Sequence, residues 1–206
     1  MKFRFLLSLF CCFSIVFALR AQTAKVKEMQ QVFVADFCEC LEEKLSLDPK
    51  IILYNQSETC IRGILAKRAE LFMEALVSDT VGAGLPDYER GRAFGKYLII
   101  NTIEDLVVKC AYYRQAMQEL KVMLARQGGV EPGTATRERV QKAVAELHTR
   151  EVEVPDVKQR AMMYCILAVA WEFAGDKIEA MAWYEKSLKL HPTTAAKGLL
   201  KLLQIS

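Results

Sequence analysis

Apolar positions recur along this chain at helical spacing. Between Ala24 and Leu47, Val26, Met29, Phe33 and Phe37 form one stripe, with Val34, Cys38, Leu41 and Leu45 beside it, so a broad face of one helix is expected to be buried. Asp48-Pro49 breaks that helix and suits the start of the next, with Asp as cap and Pro in the first turn. Ile61, Ile64, Leu65, Phe72, Ala75 and Leu76 mark a second helix, and Val81-Gly82-Ala83-Gly84-Leu85-Pro86 is a loop. Pro86-Asp87 opens a third helix carrying Ile99, Ile103, Leu106, Val107 and Cys110, and its pattern continues or restarts through Met117, Leu120 and Leu124. No stretch alternates with period two, so the expected fold class is all-α.

A polar, glycine-containing break, Gln127-Gly128-Gly129-Val130-Glu131-Pro132-Gly133, is the best boundary in the chain. It divides a cysteine-containing helical unit, residues 22–127, from a second helical unit, residues 136–206, with 128–135 as linker. After the linker, Arg137 to Thr149 is a polar helix with Val140, Ala143, Val144 and Leu147 on one face. Then Tyr164, Leu167, Ala168 and Trp171 line one face of a helix; Ala174-Gly175-Asp176 supplies a stop and a start, and Ala180, Tyr184 and Ser187 lead to Pro192. The tail from Thr194 to Gln204 carries Leu199, Leu200, Leu202 and Leu203 and reads as a terminal capping helix.

The order large, Leu, small, aromatic, Gly, Ala, aromatic, small, Pro over residues 161–192 resembles one complete tetratricopeptide repeat, with Ala168 where Gly is usual and Ser187 where Ala is usual. The resemblance implies a helix-turn-helix unit that binds a protein or peptide. It also implies a contact face on the first helix, formed by Met162, Cys165, Val169, Glu172 and Phe173. These lack the Lys and Asn with which some family members hold a terminal carboxylate, so an apolar helix or extended segment is the expected guest. The competing expectation is that the protein's own helices fill this groove, because a single repeat cannot bury its own faces. The N-terminal unit is also similar to a type of exported protein of Bacteroidetes-like bacteria. That similarity rests on Phe37-Cys38-Glu39-Cys40-Leu41, a lone Cys60, and Gly91 and Gly95 ahead of Cys110, and it implies no activity.

The start of the chain changes the charge picture. Met1-Lys2-Phe3-Arg4 precedes an apolar run of 15 residues, Phe5 to Leu19, and Ala21-Gln22 offers a small residue for cleavage. This is the layout of a secretory signal peptide over residues 1–21, and the run is shorter than the ~20 residues a membrane-spanning helix needs. An uncleaved anchor is the alternative. The chain has 28 Lys+Arg and 25 Asp+Glu, and Lys2, Arg4 and Arg20 lie in the leader, so the remainder balances at 25 against 25. The excess of positive charge belongs to the leader and does not point to nucleic acid or a membrane surface. Membrane contact is expected only through the leader, if it is retained, and the mature chain is expected in the periplasm or at the cell envelope.

Seven cysteines occur, of which Cys11 and Cys12 lie in the leader. Cys38, Cys40, Cys60, Cys110 and Cys165 remain, enough for two bridges with one thiol over. Residues two apart on a helix point about 200° from each other, so Cys38 and Cys40 are expected to bridge to other helices, with Cys60 and Cys110 as partners in an unspecified pairing. The rival reading uses these four as a zinc site or a redox-active C-x-C pair, although zinc sites favour C-x2-C pairs and reactive thiols need exposure. Cys165 reads as a small buried apolar residue. His148 and His191 stand near helix ends, outside any metal or nucleophile motif, and neither a phosphate-cradling glycine loop nor a catalytic triad emerges. The expectation is an exported, non-enzymatic interaction module without cofactor or metal, using Met162, Val169, Glu172 and Phe173. The alternative is a thiol-redox or metal-binding protein.

Overall fold

The computed structural model describes the backbone of residues 2–131, 133–150 and 154–206, and side chains over 24–131, 133–147 and 154–206. The expected leader, residues 1–21, and the side chain of His148 lie outside these described side chains. Among the described residues the chain is all helical: α1 (Lys2–Leu47), α2 (Leu53–Lys67), α3 (Ala69–Ser78), α4 (Asp87–Lys109), α5 (Ala111–Gln127), α6 (Arg137–Arg150), α7 (Val157–Phe173), α8 (Lys177–Leu190) and α9 (Thr194–Ile205). Among them no helix is long and apolar enough to cross a membrane.

The chain divides into two compact units that do not follow the break at 128–135: Met1–Phe37 with Glu58–Thr102, and Cys38–Ser57 with Ile103–Ser206. The first unit is built on the stripe of α1. Val26, Met29, Phe33, Val34 and Phe37 are buried, and the rings of Phe33 and Phe37 stack at 5.7 Å. Phe72 of α3 meets the fully buried Phe94 of α4 edge-on at 5.2 Å. The single helix expected through residues 61–76 is instead two, because Arg68 leaves helical geometry at φ −112°, ψ 28°. Its guanidinium donates two hydrogen bonds to Asp36, at 2.8 and 3.2 Å, which holds the kink. The loop at 81–86 forms as expected, with Gly82 and Gly84 at positive φ, 70° and 88°, where a side chain would be strained. Arg90 ties this loop down, donating to the carbonyls of Leu76 and Asp79 at 2.9 and 3.0 Å.

The second unit is centred on α5, α7, α8 and α9. The helical pattern that continues or restarts beyond Val107 does restart. Cys110 adopts extended geometry, φ −112°, ψ 109°, and its sulfur accepts from the Tyr113 N–H as the N-cap of α5. α7 and α8 form an antiparallel hairpin on either side of Gly175, whose φ of 80° makes the reversal. Asp156, Asp176 and Thr193 cap α7, α8 and α9 with their side-chain oxygens, satisfying N–H groups that have no partner inside the helix. Ala168 and Ala180 have no exposed surface, and the buried Ser187 hydroxyl donates to the Ala161 carbonyl at 2.7 Å, joining the two helices. The C-terminal helix packs on α8 with Ala195, Ala196, Gly198, Leu199, Leu202 and Leu203 buried. On α6, Val140 and Leu147 are buried while Ala143 is exposed, so its apolar face is narrower than the sequence implies.

Candidate functional site

Two features of the sequence invite chemistry or binding: the cysteines, and the outer face of α7. Cys38, Cys40, Cys60 and Cys110 are all disulfide-bonded. Cys38 joins Cys110 across 72 residues of sequence, with Cα atoms 5.6 Å apart. Cys110 therefore has two tasks, a covalent tie to α1 and the N-cap of α5. Cys165 is a free thiol, buried on α7, and burial pushes its pKa up to about 12. A thiol so held is almost wholly protonated near neutral pH and a poor nucleophile. Among the described residues no group of His, Cys, Asp and Glu is arranged to hold a metal ion. Persistent disulfides belong to an oxidising, non-cytoplasmic environment.

The α7 face is the seat of another helix. α5 packs against both α7 and α9, and its buried side chains are Tyr113, Ala116, Met117, Leu120, Leu124 and Ala125. At the C-terminal end of α7, Lys121 of α5 places its ammonium 2.7 Å from Glu172 Oε1, and both side chains are only 14% exposed. The Tyr184 hydroxyl of α8 donates to Glu172 Oε2 at 3.1 Å. Burial, followed by the adjacent Glu172 charge, raises the Tyr184 pKa, so this phenol remains a proton donor at physiological pH. The Lys121 ammonium also lies 5.8 Å from the centre of the Phe173 ring, within range for a cation–π attraction. Toward the middle of α7 the helices close further. A Cβ at Gly128 would collide with Ile166. Against α9, a Cβ at Gly198 would fall 2.6 Å from the Met117 sulfur.

The four expected contact residues therefore separate. Val169 has no exposed surface and belongs to the core. Glu172 and Phe173 are half-buried beside Lys121. Met162, at 39% exposure, is the one of the four open to solvent. Sequence reasoning missed Lys121, which flanks the apolar stripe of α5 and meets its partner 51 residues away. No local spacing signals such a contact. Tyr184 is visible in the sequence as a large core residue, whereas its hydrogen bond to Glu172 is not. No known protein family, curated protein or solved structure matches the chain.

Proposed function

We propose that the chain is an exported, non-enzymatic module for protein–protein interaction, with α7 and α8 as a tetratricopeptide-like hairpin and α9 as its cap. On this reading residues 1–21 are a cleaved signal peptide, and the mature chain works in the periplasm or at the cell envelope. The observation that carries the reading is the α7–α8 hairpin itself, whose large and small positions are buried in the order of the repeat while Met162 on α7 stays 39% exposed. The order of large and small residues from Tyr164 to Pro192 supports the same assignment, since Tyr164, Leu167, Ala168, Trp171, Ala180, Tyr184 and Ser187 are all buried. The disulfide-bonded cysteines suit an exported scaffold. The thiol-redox reading draws no support from paired cysteines and a buried Cys165.

The test is site-specific photo-crosslinking in the producing cells, with a photoreactive residue at Met162 and a control at the exposed Lys189. The expected result is a discrete adduct with one protein from position 162 and none from 189. Absence of any adduct from position 162 would remove the interaction-module reading.

A further inference from the structure

We infer that the chain reaches its native cysteine pairing through a thiol–disulfide isomerase of the export compartment, which removes early non-native bridges at Cys38. The inference rests on the export part of the proposed reading and adds a partner class that acts before the fold is complete.

The first observation is connectivity. Cys38 is joined to Cys110, 72 residues on, past Cys40 and Cys60, which are themselves disulfide-bonded. A chain exported N-terminus first presents Cys38 and Cys40 together, then Cys60, and Cys110 last of the four. A disulfide-form protein oxidant that meets the emerging chain takes two electrons and two protons from the thiols at hand. Those thiols do not yet include Cys110. Loop closure favours the same error in the complete chain: Cys60, about 20 residues from Cys38, meets it roughly sixfold more often than Cys110 does.

The second observation is where the information for the right pair lies. Cys110 stands between α4 and α5 in extended geometry, and its sulfur accepts the Tyr113 N–H as α5 begins. α5 in turn is packed on α7 and α9. Cys110 is thus placed by contacts that exist only once the chain through α9 has emerged. Oxidation that runs with emergence precedes them.

The third observation separates wrong bridges from right ones. On α1, Cys38 and Cys40 point about 200° apart, so a bridge between them excludes helical geometry there. Phe37 and Leu41, which flank the pair, are buried by that helix and lose their register without it. A misbridged chain therefore stays open to attack. In the native fold Cys110 has no exposed surface and Cys60 only 1%, so exchange stops where the pairing is correct.

The step is an exchange with no net oxidation. An isomerase thiolate attacks the Cys38 sulfur of a non-native bridge, forming an isomerase–Cys38 disulfide. The former partner leaves as a thiolate and takes up a proton. The Cys110 thiol loses its proton, and its thiolate attacks the same Cys38 sulfur. The Cys38–Cys110 bond forms and the isomerase thiolate departs, so one disulfide is consumed and one is made.

For the test, the protein isolated from the producing cells is reduced and unfolded in denaturant. It is then diluted into a glutathione redox buffer, with or without a catalytic amount of purified protein disulfide isomerase. Pairing is mapped by non-reducing proteolysis and mass spectrometry on samples quenched by alkylation. Early samples are expected to carry Cys38 bonded to Cys40 or Cys60, and the Cys38–Cys110 bridge should appear at least about fivefold faster with isomerase. The double variant Cys40→Ser, Cys60→Ser lacks both early competitors, and its Cys38–Cys110 bridge should form at the same rate with or without isomerase. A wild type without the early species, an unchanged rate, or a double variant that still needs isomerase would overturn the inference. If the double variant does not fold, the early wild-type samples decide. The two readings fail separately: cells that yield a chain retaining residues 1–21 with its thiols reduced remove the export reading, whereas a Cys38–Cys110 bridge that forms first in the test removes only the isomerase.

Discussion

The α7–α9 stack and the α2–α3 segment end their helices by different means. In the stack, each helix starts at its own capping residue, Asp156, Asp176 or Thr193, whose side chain accepts an N–H two or three residues later. In the other segment, α3 starts at Arg68 with no side-chain cap, and the kink depends on Asp36, 32 residues away. The carbonyl of Leu76 near its far end takes a hydrogen bond from Arg90, 14 residues on. The stack is specified locally and then packed. The α2–α3 segment receives its shape from tertiary contacts, and α3 buries only Ala75 and Leu76 while Met73 and Val77 are exposed. Damage should therefore propagate differently in the two places.

The largest effect is expected in the stack. Val169→Asp puts a carboxylate where no surface is exposed, at a cost on the order of 5 kcal/mol, comparable with the stability of a small domain. No cooperative melt should remain in thermal denaturation followed by circular dichroism. A folded variant impaired only in binding would return Val169 to the contact surface.

Next comes the double variant Cys38→Ser, Cys110→Ser. It releases a cross-link between residues 72 apart in sequence and should lower stability by about 2–4 kcal/mol. Urea denaturation of the variant and the oxidised wild type measures this.

Arg68→Ala probes the kinked segment. Hydrogen bonds from Arg68 hold the Asp36 pKa below the usual carboxylate value, opposed by partial burial and aided by the Arg68 charge. A depressed folded pKa contributes stability that is present above the unfolded value of about 3.9 and is lost as pH falls through the folded value. The Arg68 side chain is 39% exposed, so solvent screens the pair, and the loss at neutral pH should be about 1 kcal/mol or less. The distinguishing result is the profile: below pH 4 the wild type should lose stability toward the variant until the two curves converge.

The smallest effect is the local one. Asp176→Ala removes the cap of α8, whose side chain accepts from Glu179 N–H at 3.2 Å, and should cost about 1 kcal/mol. Urea denaturation should show an unchanged slope and a lower midpoint.

The same contrast explains what could be read from the sequence. The α7–α8 hairpin was legible because stripe, glycine and capping aspartate lie within a few residues of one another. The all-α class and the loop at Val81 to Pro86 follow from similar short-range signals. The kink at Arg68 was not legible, because an arginine inside an apolar period looks like a solvent-facing position until Asp36 is placed beside it. Cys110 read as a member of a helical stripe, and neither its bond to Cys38 nor its place as the cap of α5 is marked by that spacing. The contact face was only half legible. Spacing along α7 put Met162, Val169, Glu172 and Phe173 on one side, but whether that side meets solvent depends on α5, and Lys121 carries no periodic mark.

On the proposed function the chain is exported and its disulfide-bonded cysteines staple a scaffold. The most direct measurement is the intact mass of the exported protein, non-reduced, before and after thiol alkylation in denaturant. With Cys38, Cys40, Cys60 and Cys110 paired and Cys165 free, the predicted result is a chain lacking residues 1–21, four hydrogens lighter than its reduced form, with one alkylated thiol. Several alkylated thiols on a chain without its leader, or zinc retained under native conditions, would contradict the account and move the function to the cysteines.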